Sequence, residues 1–275
     1  MDSPVSPERT EPTPPAGPRR VGRVALVGAG PGDPELLTLR AARLIAAADV
    51  VVYDNLVGPG VMAMVNPRAR LVYAGKQRAN HSIAQEGINE MLVRLAREGH
   101  AVVRLKGGDP FTFGRGGEEL LAIAQAGIAF EVVPGITAAH GVSAYAGIPL
   151  THREHAQACI FVTGHLQDGT CDLDWAGLAR PRQTVVIYMG LSGLATIARQ
   201  LVAHGLPPEW PAAVISKGTL PEQRVVCGTL ASIAAEAAAA KLSSPCLTIV
   251  GEVVRLREQL DWIGAAMPPP AAGAR

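Results

Sequence analysis

The residues best suited to chemistry lie in one glycine-rich stretch, 104–119, which reads Arg-Leu-Lys-Gly-Gly-Asp-Pro-Phe-Thr-Phe-Gly-Arg-Gly-Gly-Glu-Glu. The short apolar run before its glycines, 101–105, predicts a buried strand, and the periodic run 118–126 predicts a helix. Five glycines lie between the two runs, more than a turn requires, and glycine lets a ligand approach the backbone closely. The stretch therefore predicts a ligand cradle at the carboxyl end of a parallel strand. A long unstructured connection is the alternative.

The charges in this stretch indicate what kind of ligand it would take. Asp109 stands where a phosphate cradle needs bare N–H groups or a lysine, so a phosphate would be repelled and a ligand carrying positive charge is favoured. Arg115 and Glu118 are three residues apart, a spacing that places them on one helix face. We interpret Arg115 as an anion clamp that Glu118 orients. An ordinary surface ion pair is the alternative.

The overall composition limits the number of domains, the kinds of partner and the cellular compartment that we expect. The chain has 275 residues, of which 48% are hydrophobic, and this is enough for one large domain or two of ordinary size. A net charge of +1 gives no reason to expect nucleic acid or a membrane surface as a partner. The chain holds no apolar run long enough for a membrane helix. The four cysteines are scattered and form no C-x-x-C pair, which indicates reduced thiols and a cytoplasmic protein.

Strand and helix patterns alternate along the chain, which predicts an α/β fold. We divide it into a Pro-rich disordered tail (1–20), an N-terminal α/β domain (21–147), a C-terminal α/β domain (148–264) and a loose tail (265–275). Strands are predicted at 23–27, 50–53, 71–73, 101–105, 130–133, 158–163, 184–189, 212–217, 224–228 and 246–251. Helices are predicted around 39–45 and at 83–98, 118–126, 192–204, 229–241 and 253–263, with Ser82 and Thr137 as N-caps. The strands of the second half show no clean alternation and are predicted to be buried on both faces.

The first strand and turn partly fit a dinucleotide-binding fingerprint. Gly28 and Gly30 follow the strand, and Asp54 lies about 20 residues further on, as that fingerprint requires. The third glycine is replaced by Asp33, whose carboxylate would face a pyrophosphate. A dinucleotide-dependent oxidoreductase is therefore a weak alternative, and a tight turn against a ligand without phosphate is favoured.

Five motifs occurring in this order resemble those of the tetrapyrrole methylases over about residues 22–264. They are Gly-Ala-Gly-Pro-Gly-Asp-Pro, Tyr-Asp-Asn-Leu-Val, Lys-Gly-Gly-Asp-Pro-Phe-x-Phe-Gly-Arg-Gly-x-Glu, Val-Pro-Gly-Ile-Thr-Ala and Tyr-Met-Gly. The resemblance implies two α/β domains with the active-site cleft between them, usually in a homodimer. It also implies S-adenosyl-L-methionine as cofactor, which carries a sulfonium and an ammonium and no phosphate.

The resemblance further implies C-methylation of uroporphyrinogen III at C2 and C7 to give precorrin-2, on the way to sirohaem, cobalamin or haem d1. Some family members are fused to an N-terminal module for dehydrogenation and iron insertion. Because only about twenty residues precede the first strand here, we expect methylation alone. The alternatives within the superfamily are a methylase of a later precorrin and a ribose or protein methyltransferase.

Site residues follow from the resemblance, position by position. The implied cofactor contacts are Pro31, Gly107, Gly108, Asp109, Thr112, Thr137, Ala138, Met189 and Gly218. The implied catalytic residues are Asp54 as proton acceptor, Lys76 as proton donor, and Arg115, Glu118 and Arg153 at the macrocycle. Turn geometry is the alternative for the glycines, core packing for Met189, a strand-end turn for Asp54 and a solvated loop charge for Arg153. His152 and His155 show no metal-ligand spacing, and no metal is predicted.

Overall fold

The computed structural model describes residues 21–75, 85–164 and 173–263. Its strands are β1 (Arg23–Gly28), β2 (Val50–Tyr53), β3 (Arg70–Tyr73), β4 (Ala101–Lys106), β5 (Phe130–Val133), β6 (Ala158–Thr163), β7 (Gln183–Tyr188), β8 (Pro211–Ser216), β9 (Arg224–Thr229) and β10 (Cys246–Val250). Its α-helices are α1 (Leu39–Ala47), α2 (Pro59–Met62), α3 (Gln85–Arg97), α4 (Gly116–Gln125), α5 (Ala138–Tyr145), α6 (Trp175–Leu178), α7 (Leu194–Ala203), α8 (Ile233–Ala239) and α9 (Arg257–Leu260). Every predicted strand is confirmed to within a residue at each end, and so is the α/β class.

The first sheet has the strand order β3-β2-β4-β1-β5, and all its pairings are parallel. Both of its faces are covered, which is why its strands are almost continuously apolar. Along β1, Val24 and Leu26 pack into a core with α3 and α4, whereas Ala25 and Val27 pack into a second core with α1 and α2. The period of two along each strand thus divides the apolar residues between two helical layers.

The two central strands of this sheet send their connections to opposite faces. β1 and β4 are neighbours, with Gly28 opposite Lys106 at their carboxyl ends. The chain leaves β1 for α1 on one face and leaves β4 for α4 on the other. Such a switch in direction opens a crevice at the strand ends, where open α/β sheets bind their ligands.

The second sheet is mixed and has the order β6-β7-β10-β8-β9. Only β6 and β7 pair in parallel, and the other three pairings are antiparallel. The prediction that all these strands are buried on both faces is wrong for β6 and β9, which are largely half-buried because they form the two edges. It is right for β8 and largely right for β7 and β10, which lie inside the sheet.

Some helix bounds differ from the predictions. The predicted helix 229–241 covers only α8, because Ser232 Oγ accepts the Thr229 N–H and forms a turn before it. The predicted helix 253–263 is a 3₁₀ turn (Glu252–Leu256) followed by α9. Within the described ranges, no helix is long and apolar enough to cross a membrane.

The chain passes from the first sheet to the second between α5 and β6. The domain boundary predicted at 147/148 falls in that interval, and the division into two domains stays a prediction. Ser82, predicted as an N-cap, lies outside the described residues.

Candidate active site at the strand ends

Three turns at the carboxyl edge of the first sheet touch through their backbones. Gly30 and Gly108 form an isolated bridge, with N···O distances of 3.2 and 2.7 Å in the two directions. A Cβ on Gly28 would lie 2.5 Å from the nitrogen of Gly135, and a Cβ on Gly135 would lie 2.2 Å from the oxygen of Gly108. These glycines are therefore required by close packing of the turns that follow β1, β4 and β5. We call these three the strand-end turns.

The carboxylate of Asp109 ties two strand-end turns together. Its Oδ1 accepts the N–H of Phe111 at 2.9 Å and the hydroxyl of Thr112 at 3.3 Å. Its Oδ2 accepts the N–H of Gly135 at 3.1 Å. The loop is thus held by specific hydrogen bonds, and the alternative of an unstructured connection is wrong. Since each carboxylate oxygen can accept two hydrogen bonds, Oδ2 keeps room for one more donor.

The turn after β2 packs against the same edge. Leu56 lies against the backbone of Gly107, where an added Cβ would be 2.6 Å from the Cβ of Leu56. The Oδ1 of Asp54 accepts the N–H of Leu56 at 3.0 Å, and its Oδ2 lies 3.3 Å from Nη2 of Arg104. Asp54 is therefore both a turn residue, as the alternative reading held, and the partly exposed end of a buried ionic group.

Arg115 and Glu118 form a two-pronged ion pair at the start of α4. The Nε and Nη2 of Arg115 lie 2.8 and 2.6 Å from the two carboxylate oxygens of Glu118, and both side chains are about half exposed. The hydrogen bond to Glu118 raises the pKa of Arg115, and the same bond lowers the pKa of Glu118. Both groups therefore stay charged, which suits an anion clamp and not a base.

Arg153 is exposed, in the loop before β6, and its backbone oxygen accepts a hydrogen bond from Nη2 of Arg182. Lys76, predicted as the proton donor, lies outside the described residues. The roles predicted for both residues stay predictions.

Thr137 stands at the N-cap position of α5, as predicted, but it does not cap the helix through its side chain. Its hydroxyl makes no capping bond and lies 2.6 Å from the hydroxyl of Tyr188 on β7. The Tyr188 oxygen also accepts the N–H of Ala139 at 2.8 Å. Burial raises the pKa of Tyr188, so the phenol stays protonated and can donate to Thr137.

Small residues allow close packing at α5, against the second half of the chain at one position and against the turn after β1 at another. A Cβ on Gly218 would lie 2.4 Å from a methyl group of Val142, and a Cβ on Gly141 would lie 2.4 Å from Cγ of Pro31. Gly218 therefore has a packing reason of its own. Met189, which follows β7, is 48% exposed with φ of 54°, so the core-packing alternative for it is wrong.

Asp33 connects the two halves and does not offer an open helix terminus. Its Oδ1 accepts the N–H of Glu35, its Oδ2 accepts the Tyr145 hydroxyl at 2.6 Å, and its own N–H reaches the Thr219 hydroxyl at 3.1 Å. Burial and the nearby Asp33 carboxylate raise the pKa of Tyr145 to about 12. A pyrophosphate at this position would lie against the negatively charged Asp33 carboxylate, which already accepts two hydrogen bonds. This again disfavours a dinucleotide-binding fold.

The loop before β6 brings three potential metal ligands together. The nitrogen or carboxylate ligand atoms of His152, Glu154 and His155 lie within 4.8 Å of one another. The Nδ1 of His152 already accepts the N–H of Glu154 at 3.2 Å. The prediction that this protein needs no metal stays a prediction.

Sequence reasoning missed Tyr188, Arg104 and Glu119. For Arg104 a signal was present, because a charged residue inside an apolar strand needs a buried partner. Tyr188 belongs to the Tyr-Met-Gly motif, but its hydrogen bonds left no local signal, because its partners, Thr137 and Ala139, are about fifty residues away.

Residues 23–234 match the family of Tetrapyrrole (Corrin/Porphyrin) Methylases. Because the match covers more than half of the chain, this protein belongs to the tetrapyrrole methylases, as the resemblance predicted. The cobalt precorrin-4 methyltransferase, at 24% identity, shares the fold with a TM-score of 0.75.

Proteins with higher sequence identity show which members of the family this chain resembles. The chain is 60% identical over 252 residues to a siroheme synthase from Methylobacillus flagellatus and 61% identical over 241 residues to one from Nitrosospira multiformis. These matches cover 92% and 88% of this chain and 54% and 51% of the relatives, so the chain spans about half the length of the curated relatives it matches. The chain is 42% identical, with a TM-score of 0.74, to the uroporphyrin-III C-methyl transferase of Thermus thermophilus, which is solved with S-adenosylhomocysteine. That alignment covers 86% of this chain and 94% of the Thermus protein.

Proposed function

We propose that this protein is an S-adenosylmethionine-dependent methyltransferase that methylates uroporphyrinogen III at C2 and C7 to give precorrin-2. The observation that carries the proposal is the bridge between Gly30 and Gly108 at the carboxyl ends of β1 and β4. The same loop holds the Asp109 carboxylate and Arg115, whose guanidinium binds Glu118 through two hydrogen bonds. The similarity to the Thermus enzyme supports the same function.

The chemistry of the strand-end turns fits the proposed cofactor. The ammonium group of the cofactor requires hydrogen-bond acceptors, and Asp109 has an oxygen with a lone pair to spare. The sulfonium donates no hydrogen bond, but its positive charge is favoured beside a carboxylate. Close-packed glycine backbones offer flat surface and carbonyl oxygens to an adenosine moiety. The residues that would hold the cofactor are Pro31, Gly107, Gly108, Asp109, Thr112, Thr137, Ala138, Met189 and Gly218. When bound, this cofactor supplies an electrophilic methyl group.

In the proposed reaction, a pyrrole carbon of the substrate attacks that methyl group with its ring π electrons. A carbon–carbon bond forms, the methyl–sulfur bond breaks and its electron pair stays on sulfur. The macrocycle then loses one proton per methyl group; Asp54 is assigned to accept it and to release it to solvent. Much of the rate would come from holding the reacting carbons in line.

The arginines have a clear use with this substrate. Uroporphyrinogen III carries eight carboxylates, and the planar guanidinium pairs with carboxylate through two parallel hydrogen bonds. Arg115 already makes this geometry with Glu118. We assign Arg115 and Arg153 to substrate carboxylates, with Glu118 orienting Arg115.

The activity is tested by incubating purified protein with S-adenosylmethionine and uroporphyrinogen III without oxygen. The expected product has gained two methyl groups by mass. A final gain of none or of one methyl group rules out the assigned reaction. Turnover of a later precorrin in place of uroporphyrinogen III would assign the chain to the other branch of the family.

The clamp is tested with Arg115→Ala. Turnover should be lost while S-adenosylhomocysteine still binds by calorimetry, because Arg115 is assigned to the substrate and not to the cofactor. Arg40→Ala is the matched control, since Arg40 also forms an exposed ion pair, with Glu131. Parallel loss of cofactor binding in Arg115→Ala would contradict the assignment.

Two further properties belong to the proposal. We expect a homodimer, which light scattering after size exclusion would measure. We also expect a cytoplasmic protein, since Cys159, Cys227 and Cys246 are free thiols in the structure.

A further inference from the structure

Three charged side chains are buried together at the carboxyl end of β4. Arg104 is 3% exposed, Lys106 is 6% exposed and Glu119, on α4, is fully buried. The Oε1 of Glu119 lies 3.1 Å from Nε of Arg104 and 3.1 Å from Nζ of Lys106. Together with Asp54 we call them the buried ion cluster. Its formal charges cancel, which is the condition for keeping such groups away from water.

The guanidinium of Arg104 is fixed by acceptors on every side. Its Nη1 donates to the backbone oxygens of Val52 and Leu105 at 3.4 and 3.2 Å, and its Nε donates to Glu119. Its Nη2 reaches Oδ2 of Asp54 at 3.3 Å. Four acceptors leave the guanidinium plane little freedom, so the Nη2 donor points at one place.

Asp54 is the most exposed member of the cluster, with 18% of its side chain exposed. The Leu56 N–H holds one of its oxygens and Arg104 holds the other. The carboxylate therefore cannot rotate about its last bond without losing a hydrogen bond. Its orientation at the end of β2 is set from inside the sheet.

Folding alone does not require this arrangement. Arg104 lies on the same face of β4 as Val102, the face that packs against α3 and α4, where an apolar residue would avoid the cost of burying charge. The second oxygen of Glu119 is buried and has no hydrogen-bond partner among the described residues, an added cost. A catalytic group must be held in place by the residues around it, and the buried Arg104 and Glu119 could hold Asp54 in this way.

We propose that Arg104 is a positioning residue for Asp54, and that Glu119 holds Arg104 in place. The inference rests on the proposed function, in which Asp54 accepts the proton that the macrocycle loses. Arg104 itself touches neither substrate nor cofactor. It keeps the Asp54 carboxylate in the one orientation that receives the proton.

The test is a double-mutant cycle on the methylation rate under single-turnover conditions. Arg104→Met should lower the rate about 100-fold, the size expected of a misplaced reacting group, while the KM for S-adenosylmethionine stays unchanged. In an Asp54→Asn background the same change should have no further effect. Arg104→Lys should restore part of the rate, because an ammonium group can reach Asp54 but cannot hold the other acceptors at once.

Two other variants keep the test decisive. Arg257→Met removes a partly buried arginine paired with Asp261 in the second half, and it should lower stability without lowering the rate. If Arg104→Met does not fold, Glu119→Gln keeps the shape of the cluster and should lower the rate only when Asp54 is present. Equal fold losses with and without Asp54 would overturn the proposal. A wild-type chain that does not methylate would end the proposed function and this inference together. A near-normal rate for Asp54→Asn would end this inference and the role assigned to Asp54, and would leave the proposed methylation standing.

Discussion

The stretch 104–119 contributes to two ionic groups that differ in burial and in the distance between their charged atoms. The buried ion cluster is formed around Arg104 and Glu119, with exposures of 3% and zero. Arg115 and Glu118 form a shorter pair, at 2.6 Å, whose side chains are about half exposed. Short distance alone would rank the exposed pair as the stronger one, but screening by water makes such pairs nearly neutral for stability. Burial decides which group folding depends on.

The largest expected effect comes from breaking the buried group on one side only. Glu119→Ala removes the carboxylate that Lys106 contacts and leaves Arg104 with Asp54 as its remaining counter-charge, so one positive charge stays buried and unbalanced. This should cost about 3–5 kcal/mol of the free energy of unfolding. Urea denaturation measures it. Glu119→Gln, which keeps an acceptor oxygen and the volume, is the control and should cost less. A loss below about 1 kcal/mol for Glu119→Ala would mean that water reaches the cluster.

The stability loss expected from breaking a buried neutral hydrogen bond lies between the losses expected for the two ionic groups. Tyr188→Phe removes the hydroxyl that meets Thr137 and the N–H of Ala139. We expect a loss of about 1–3 kcal/mol, because partly buried groups are left without a partner. Thr137→Val in the Tyr188→Phe background should cost less than Thr137→Val alone. Additive losses in this cycle would show that the bond does not couple the two halves.

The pH dependence of stability should sharpen the comparison further. Burial is the main cause that lowers the pKa of Lys106 below its ordinary value of 10.5, and the nearby Arg104 charge adds to it. Between the folded and unfolded pKa values the unfolded chain binds more protons, so this contribution to stability rises with pH. The difference in unfolding free energy between wild type and Lys106→Met should therefore shift in favour of wild type as the pH rises towards 10.5, the ordinary lysine pKa. A shift of opposite sign would mean that the Glu119 charge outweighs burial.

The smallest effect on folding is expected from the exposed pair. Glu118→Gln should leave the urea midpoint unchanged, because solvent already satisfies both side chains. The rate of methylation should nevertheless fall, since Arg115 loses the group assigned to orient it. Glu131→Gln, which opens the exposed pair with Arg40, should change neither quantity. A stability loss in Glu118→Gln would show that the Arg115–Glu118 pair, like the buried ion cluster, contributes to folding stability.

Local patterns predicted the strands well because each is a short apolar run bounded by glycine or a charge. They favoured a ligand cradle over an unstructured connection around Gly108, because the number of glycines there exceeds what a turn needs. The loop is ordered, and the ligand that it would hold stays a prediction. They could not predict the order of the second sheet, in which β10 lies between β7 and β8, because strand pairing over that distance leaves no local trace. The hydroxyl of Thr137 went to Tyr188 for the same reason: a tertiary partner competed with the local cap.

The contact between Gly28, Gly108 and Gly135 has a consequence for how such enzymes can diversify. Main-chain atoms fill this contact, so substitution cannot reshape it without separating the turns. New preferences among large ring substrates would have to be acquired from exposed side chains around it, such as Phe111, Arg115 and Met189. Laboratory evolution towards another substrate should accordingly accumulate changes at those positions and leave the glycines untouched.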